Sequence, residues 1–149
     1  LHKEYRRQRQ MCIRDSDNDE TTDILYYDNN ISVTRGDEET SEKYSEARQV
    51  RINDAEMTIE EVWTFGEDLG EDYYTKIIGS ARYLRNTGNR LVNFGYRDEG
   101  QTSSIMEVTE EGETVLKVDL TDFPTSAWAY RAERFSLYNE GWTYELKEE

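Results

Sequence analysis

Two stretches of the chain, 56 residues apart, repeat one hairpin pattern, and this repeat restricts the fold more than any other feature. Val50-x-Ile52-Asn53-Asp54-x-x-x-Thr58-Ile59-x-x-Val62 reads against Met106-x-Val108-Thr109-Glu110-x-x-x-Thr114-Val115-x-x-Val118. Residues of one kind at every second position share one face of a strand, so each copy offers one apolar and one polar face. A further strand precedes each hairpin, Ile24–Tyr27 in one copy and Arg90–Asn93 in the other, with a longer insertion in the first. A three- or four-stranded meander recurring every ~40–60 residues is how propeller blades look in sequence. A β-sandwich also shows short strands joined by hairpins, and is the alternative on pattern.

The pattern predicts an all-β chain built of antiparallel meander blades, a partial β-propeller of about two to three blades. Predicted strands are 23–28, 48–53, 58–65, 81–85, 90–94, 104–109, 114–120 and 129–135, with a weaker one at 142–146. Asn53-Asp54, Thr87-Gly88-Asn89 and Glu111-Gly112 mark the turns. The acidic stretch 37–46 reads as a solvated loop. A blade takes ~40–50 residues and a propeller closes with at least four blades. The 149 residues hold roughly two blades and the start of a third, so either the chain oligomerises or it is the C-terminal part of a larger propeller.

Residues 1–16 differ from the rest. They hold five Lys/Arg against two Asp/Glu, the sole histidine (His2) and the sole cysteine (Cys12). Read functionally they form a basic arm for an acidic partner. Read otherwise they are a non-native leader resembling a translated sequencing adapter, with the domain confined to 17–149; this second reading is the expectation. The whole chain carries −15 and residues 17–149 carry −18, a charge that repels phosphates and argues against nucleic acid and anionic membranes as partners. No apolar run approaches the ~18 residues of a membrane span. One cysteine excludes a disulfide framework and a thiolate metal cluster.

Catalytic motifs are scarce. The chain has no Gly-rich phosphate loop, no HExxH and no GxSxG elbow. Asp15-Ser16-Asp17-Asn18-Asp19 starts like a calcium loop, but Glu20 stands where glycine makes the turn and Tyr26 where the bidentate Glu belongs, so no metal site is expected. Asn30-Ile31-Ser32 fits a glycosylation acceptor, a tripeptide that also arises by chance. With 33 carboxylates no glycosidase-like pair stands out. Trp63, Trp128, Trp142, Tyr130 and Tyr138 either form a stacking surface or fill the space between blades, and packing is the stronger reading.

Three stretches together resemble the C-terminal part of the bacterial arylsulfate sulfotransferases. They are Asp23-Ile24-Leu25-Tyr26-Tyr27-Asp28-Asn29-Asn30, the run from Tyr74 to Gly95 that includes Gly79-Ser80-Ala81-Arg82-Tyr83-Leu84 and Gly88-Asn89, and Tyr130-Arg131-Ala132-Glu133-Arg134-x-Ser136-Leu137-Tyr138. Trp63-Thr64-Phe65-Gly66 fits the same order. The resemblance implies a six-bladed propeller that moves a sulfuryl group from an aryl sulfate donor to a phenolic acceptor through a sulfohistidine, with no cofactor. It also implies an extracytoplasmic parent protein. The family's nucleophilic histidine precedes the strand matched by Tyr27-Asp28-Asn29-Asn30, which here would place it in the leader. His2 lacks the family's flanking residues, so the role is not carried onto it, and this chain is expected to hold no catalytic residue and to be inactive alone. In the next blade Ser80 takes the place of that histidine. If the blades superpose, Ser80, Tyr130 and Arg131 line the acceptor pocket; alternatively, Tyr130 and Arg131 make a closure contact. The competing functional reading is a non-catalytic acidic propeller or sandwich module that binds glycans or a protein.

Overall fold

The computed structural model describes residues 11–15, 20–30, 44–124 and 127–136. They form two four-stranded antiparallel meanders in succession. The first is β1 (Met11–Asp15), β2 (Thr21–Asp28), β3 (Glu46–Asn53) and β4 (Thr58–Phe65). The second is β5 (Gly79–Tyr83), β6 (Arg90–Arg97), β7 (Thr102–Val108) and β8 (Thr114–Leu120). In both, strand order in the sheet is strand order in the chain. The all-β meander expected from the repeat is what the chain forms, as a pair of open sheets stacked like consecutive blades.

Burial grades across each sheet as a blade requires. In β2, buried Asp23, Leu25 and Tyr27 alternate with half-buried Ile24 and Tyr26, so one face is packed. β6 is buried on both faces from Arg90 to Gly95, while β8 is exposed along nearly its whole length. Each repeated hairpin carries one extra residue on its outer strand, Val62 in β4 and Val115 in β8, where the ladder register shifts. Such a bulge increases the local twist.

The core lies between the sheets. Leu25, Tyr27, Ala47 and Trp63 of the first meet Ala81, Val92, Phe94, Met106 and Val108 of the second. The Tyr27 ring stands edge-on to Phe94 at 5.8 Å between centroids, a favoured aromatic geometry. Close approach is set by Gly79: a Cβ there would lie 2.0 Å from a Tyr27 ring carbon, so no other residue fits without moving the sheets apart. Polar groups cross the same interface in matched pairs. Asp23 accepts two hydrogen bonds from Arg51 (2.8 and 2.9 Å) and one from Gln49 (3.0 Å). The Gln49 amide oxygen then accepts from Arg90 of the second sheet at 2.9 and 3.3 Å. Arg90 is also stacked over Trp63 and Tyr83. Burial pushes the Tyr27 phenol well above its ordinary range, and as a neutral hydroxyl it shares a 2.8 Å hydrogen bond with Thr75.

Three sequence expectations shift. β1 was not predicted; it falls inside the segment read as a leader, where apolar alternation is weak, and it pairs with β2 from Met11↔Tyr26 to Asp15↔Thr22. The strand placed at 81–85 ends at Tyr83, because Leu84 is taken into a turn that receives the Gly88 N–H at 2.8 Å. Residues 129–135, predicted as a strand, are extended but join no ladder among the described residues. The predicted 142–146 strand, residues 31–43 and His2 lie outside the described residues. No described helix is long and apolar enough to cross a membrane.

Candidate functional site

The second sheet has a second face, turned away from the core, and strand register decides which side chains it carries. Ser80 pairs with Asn93 and Asn93 with Ile105; Arg82 pairs with Leu91, Leu91 with Glu107 and Glu107 with Leu116. Pairs opposite one another project to the same side. The extended segment 127–136 crosses this face as a strap, and each of its fixings comes from a different strand.

Trp128 starts the strap, its ring edge-on to Tyr96 at 5.9 Å. Asn93 Nδ2 then donates to the Ala129 carbonyl at 2.8 Å, and Ser103 Oγ donates to Asn93 Oδ1 at 3.1 Å, which fixes the amide's orientation. Three residues on, the Ala132 N–H donates to Ser80 Oγ at 3.3 Å. Gly95 makes room beneath: a Cβ there would stand 2.3 Å from the Ala129 oxygen. Salt bridges close the strap's end, Arg82 with Glu133 at 2.8 Å and Arg134 with Glu107. Glu107 is buried, and its carboxylate also accepts from Asn89 Nδ2 at 2.7 Å and from Thr87 Oγ1 at 3.4 Å.

The three residues singled out from sequence therefore come together, in unequal roles. Ser80 is buried and holds the strap backbone. Tyr130 and Arg131 lie between the clamps at Ala129 and Ala132, and both are about half exposed. Arg131 Nε reaches Glu133 at 3.5 Å. Sequence reasoning missed Asn93, Glu107 and Arg134. Their partners are 36 and 27 residues away, and only a buried asparagine and a glutamate in apolar strands hinted at them. Of the aromatic residues weighed as a stacking surface, Trp63 is packed between the sheets, as expected, and Trp128 serves the strap.

Between the strap and the sheet runs a groove of about 440 Å³, floored by Leu91, Ile105 and Leu116 and walled by residues 131–135. A separate cationic cluster lies where Arg97 stacks over Tyr73 at 4.2 Å, beside Lys117 and Asp119. The Ser104 hydroxyl, with Lys117 and Arg97, holds the Asp119 carboxyl below the ordinary carboxylate range. Hydrogen bonds to Tyr73 and Asp119 raise the Lys117 ammonium above its own. Among the described residues no cluster of His, Cys, Asp or Glu is arranged to hold a metal ion.

The sequence profile of one family, Arylsulfotransferase (ASST), matches residues 7–131, a span that takes in both sheets and the clamped part of the strap. Comparison with curated proteins found no match.

Proposed function

The chain belongs to the arylsulfotransferase family, and from that premise we propose that it forms two blades and the following strap of a larger propeller enzyme that passes a sulfuryl group between phenols. The observation that carries this reading is the family match across two successive four-stranded meanders. Two blades cannot close a propeller of at least four. The remaining blades then come from further chain of the same protein, placed outside the cytoplasm.

The proposed reaction has two balanced halves. An imidazole nitrogen attacks the sulfur of an aryl sulfate, the N–S bond forms, the S–O bond to the aryl oxygen breaks, and the phenolate leaves and takes up a proton. The acceptor phenol oxygen then attacks the sulfohistidine sulfur, the N–S bond breaks, and the phenolic proton is released to a base. Splitting one hard transfer into two easier ones is covalent catalysis. The chain's one histidine is His2, without the family's flanking residues, so the nucleophile is assigned to the part of the enzyme upstream of these blades. In this chain Tyr130 and Arg131 line the acceptor side. Ser80 acts as a positioning residue, holding the backbone that presents them.

The test is turnover of 4-nitrophenyl sulfate with phenol as acceptor by the purified 149-residue chain. The expected outcome is no nitrophenolate above the protein-free rate. Turnover that depends on side chains within 17–149 would contradict the assignment of the nucleophile.

A further inference from the structure

The groove beside the strap combines features that select one kind of ligand. Its floor is three aliphatic side chains on adjacent strands, Leu91, Ile105 and Leu116, and its volume of about 440 Å³ falls in the range of small-molecule sites, ~300–1,000 Å³. Phe135, three-quarters exposed, stands at its wall, so a flat ring laid against it removes apolar surface from water. The local charge runs against the rest of the molecule. Three arginines (Arg82, Arg131 and Arg134) meet two glutamates (Glu107 and Glu133), an excess of one positive charge on a chain of −15.

The arginines are not equally engaged. Arg82 and Arg134 each hold a glutamate closely, whereas the contact of Arg131 with Glu133 is 3.5 Å long and shares a carboxylate already held by Arg82 at 2.8 Å. A ligand carboxylate at Arg131 therefore displaces a long, shared contact and gains a charge-assisted one of suitable fork geometry. A neutral ring would cover the floor but leave this cation with its weak partner. A small anion would satisfy the cation but leave the floor wet. The geometry points to an aromatic carboxylate, its ring on Leu91, Ile105 and Leu116 and its carboxylate at Arg131. On the reaction proposed above, on which this assignment of role rests, the acceptors favoured are phenols that carry a carboxylate, of the hydroxybenzoate kind.

The test is calorimetric or NMR titration of the 149-residue chain with 4-hydroxybenzoate, benzoate and phenol. Both carboxylates bind about tenfold or more tighter than phenol. Arg131→Gln erases that preference and leaves phenol binding unchanged. Leu116→Glu, at a position almost half exposed and so tolerated by the fold, weakens all three. Equal affinity for phenol and the carboxylates, no binding by any of them, or an unchanged preference in Arg131→Gln overturns the proposal. These are binding measurements, so a failure of sulfuryl transfer leaves them standing, and their failure leaves the transferase reading standing.

Discussion

Single residues decide how closely the strap and the two sheets can meet. Gly95 is the sharpest case. A methyl group there would meet a backbone oxygen at 2.3 Å and Ile78 Cγ2 at 2.6 Å, and neither can yield as a flexible side-chain tip does. Gly95→Ala is expected to cost about 1–3 kcal/mol, the usual range for an overpacked site. It should also release residues 127–136, seen as faster amide exchange there while β6 stays protected. Asp119 carries a pH signature of opposite character, since it sits on an exposed strand. Its carboxyl is held low first by the Ser104 hydroxyl and then by Lys117 and Arg97, so the ionised form is favoured in the folded chain. A depressed carboxylate stabilises above its ordinary pKa and loses that contribution as pH falls through the folded value. Urea midpoints of the parent chain and Asp119→Asn should therefore differ at neutral pH and converge on acidification. A gap that is independent of pH would show that Asp119 acts otherwise.

At the scale of elements, the strap depends on long-range pairs more than on its own sequence. Glu107 is buried and the Arg134 side chain half exposed, so removing the arginine leaves a carboxylate with only Asn89 and Thr87 as donors. Arg134→Gln is expected to cost about 1–2 kcal/mol, discounted for the exposure of Arg134. In a Glu107→Gln background it should cost much less, and a double-mutant cycle measures the coupling. These elements also show what a reader of the sequence can recover. The β3–β4 and β7–β8 hairpins were legible because period-two alternation and turn residues are local signals. The extended course of 129–135 was legible for the same reason, but its lack of a ladder partner was not, because nothing in those residues encodes a missing neighbour. β1 was hidden by its weak alternation. The roles of Ser80 and Asn93 were hidden because their partners, Ala132 and Ala129, lie 52 and 36 residues away. Even so, the resemblance in Tyr130-Arg131 and Gly79-Ser80-Ala81 picked out segments that the fold does bring into contact.

At the scale of the whole molecule, two stacked sheets with an exposed outer strand at β8 and a strap over the far face form an arc rather than a ring. Within the arc the blades are held by an apolar core and by the Asp23–Gln49–Arg90 relay, whose buried polar groups are each matched across the interface. Outside it, unpaired edges and the apolar groove are left for further chain or ligand. The account's central claim is that these blades scaffold a sulfuryl transfer whose nucleophile lies elsewhere in the same protein. The most direct measurement is trapping with ³⁵S-labelled aryl sulfate on the complete gene product, followed by peptide mapping of the acid-labile label. The account predicts label on a histidine upstream of the blades and none on peptides from 17–149. Label within 17–149, or a complete product that turns over aryl sulfate without ever becoming labelled, would contradict it.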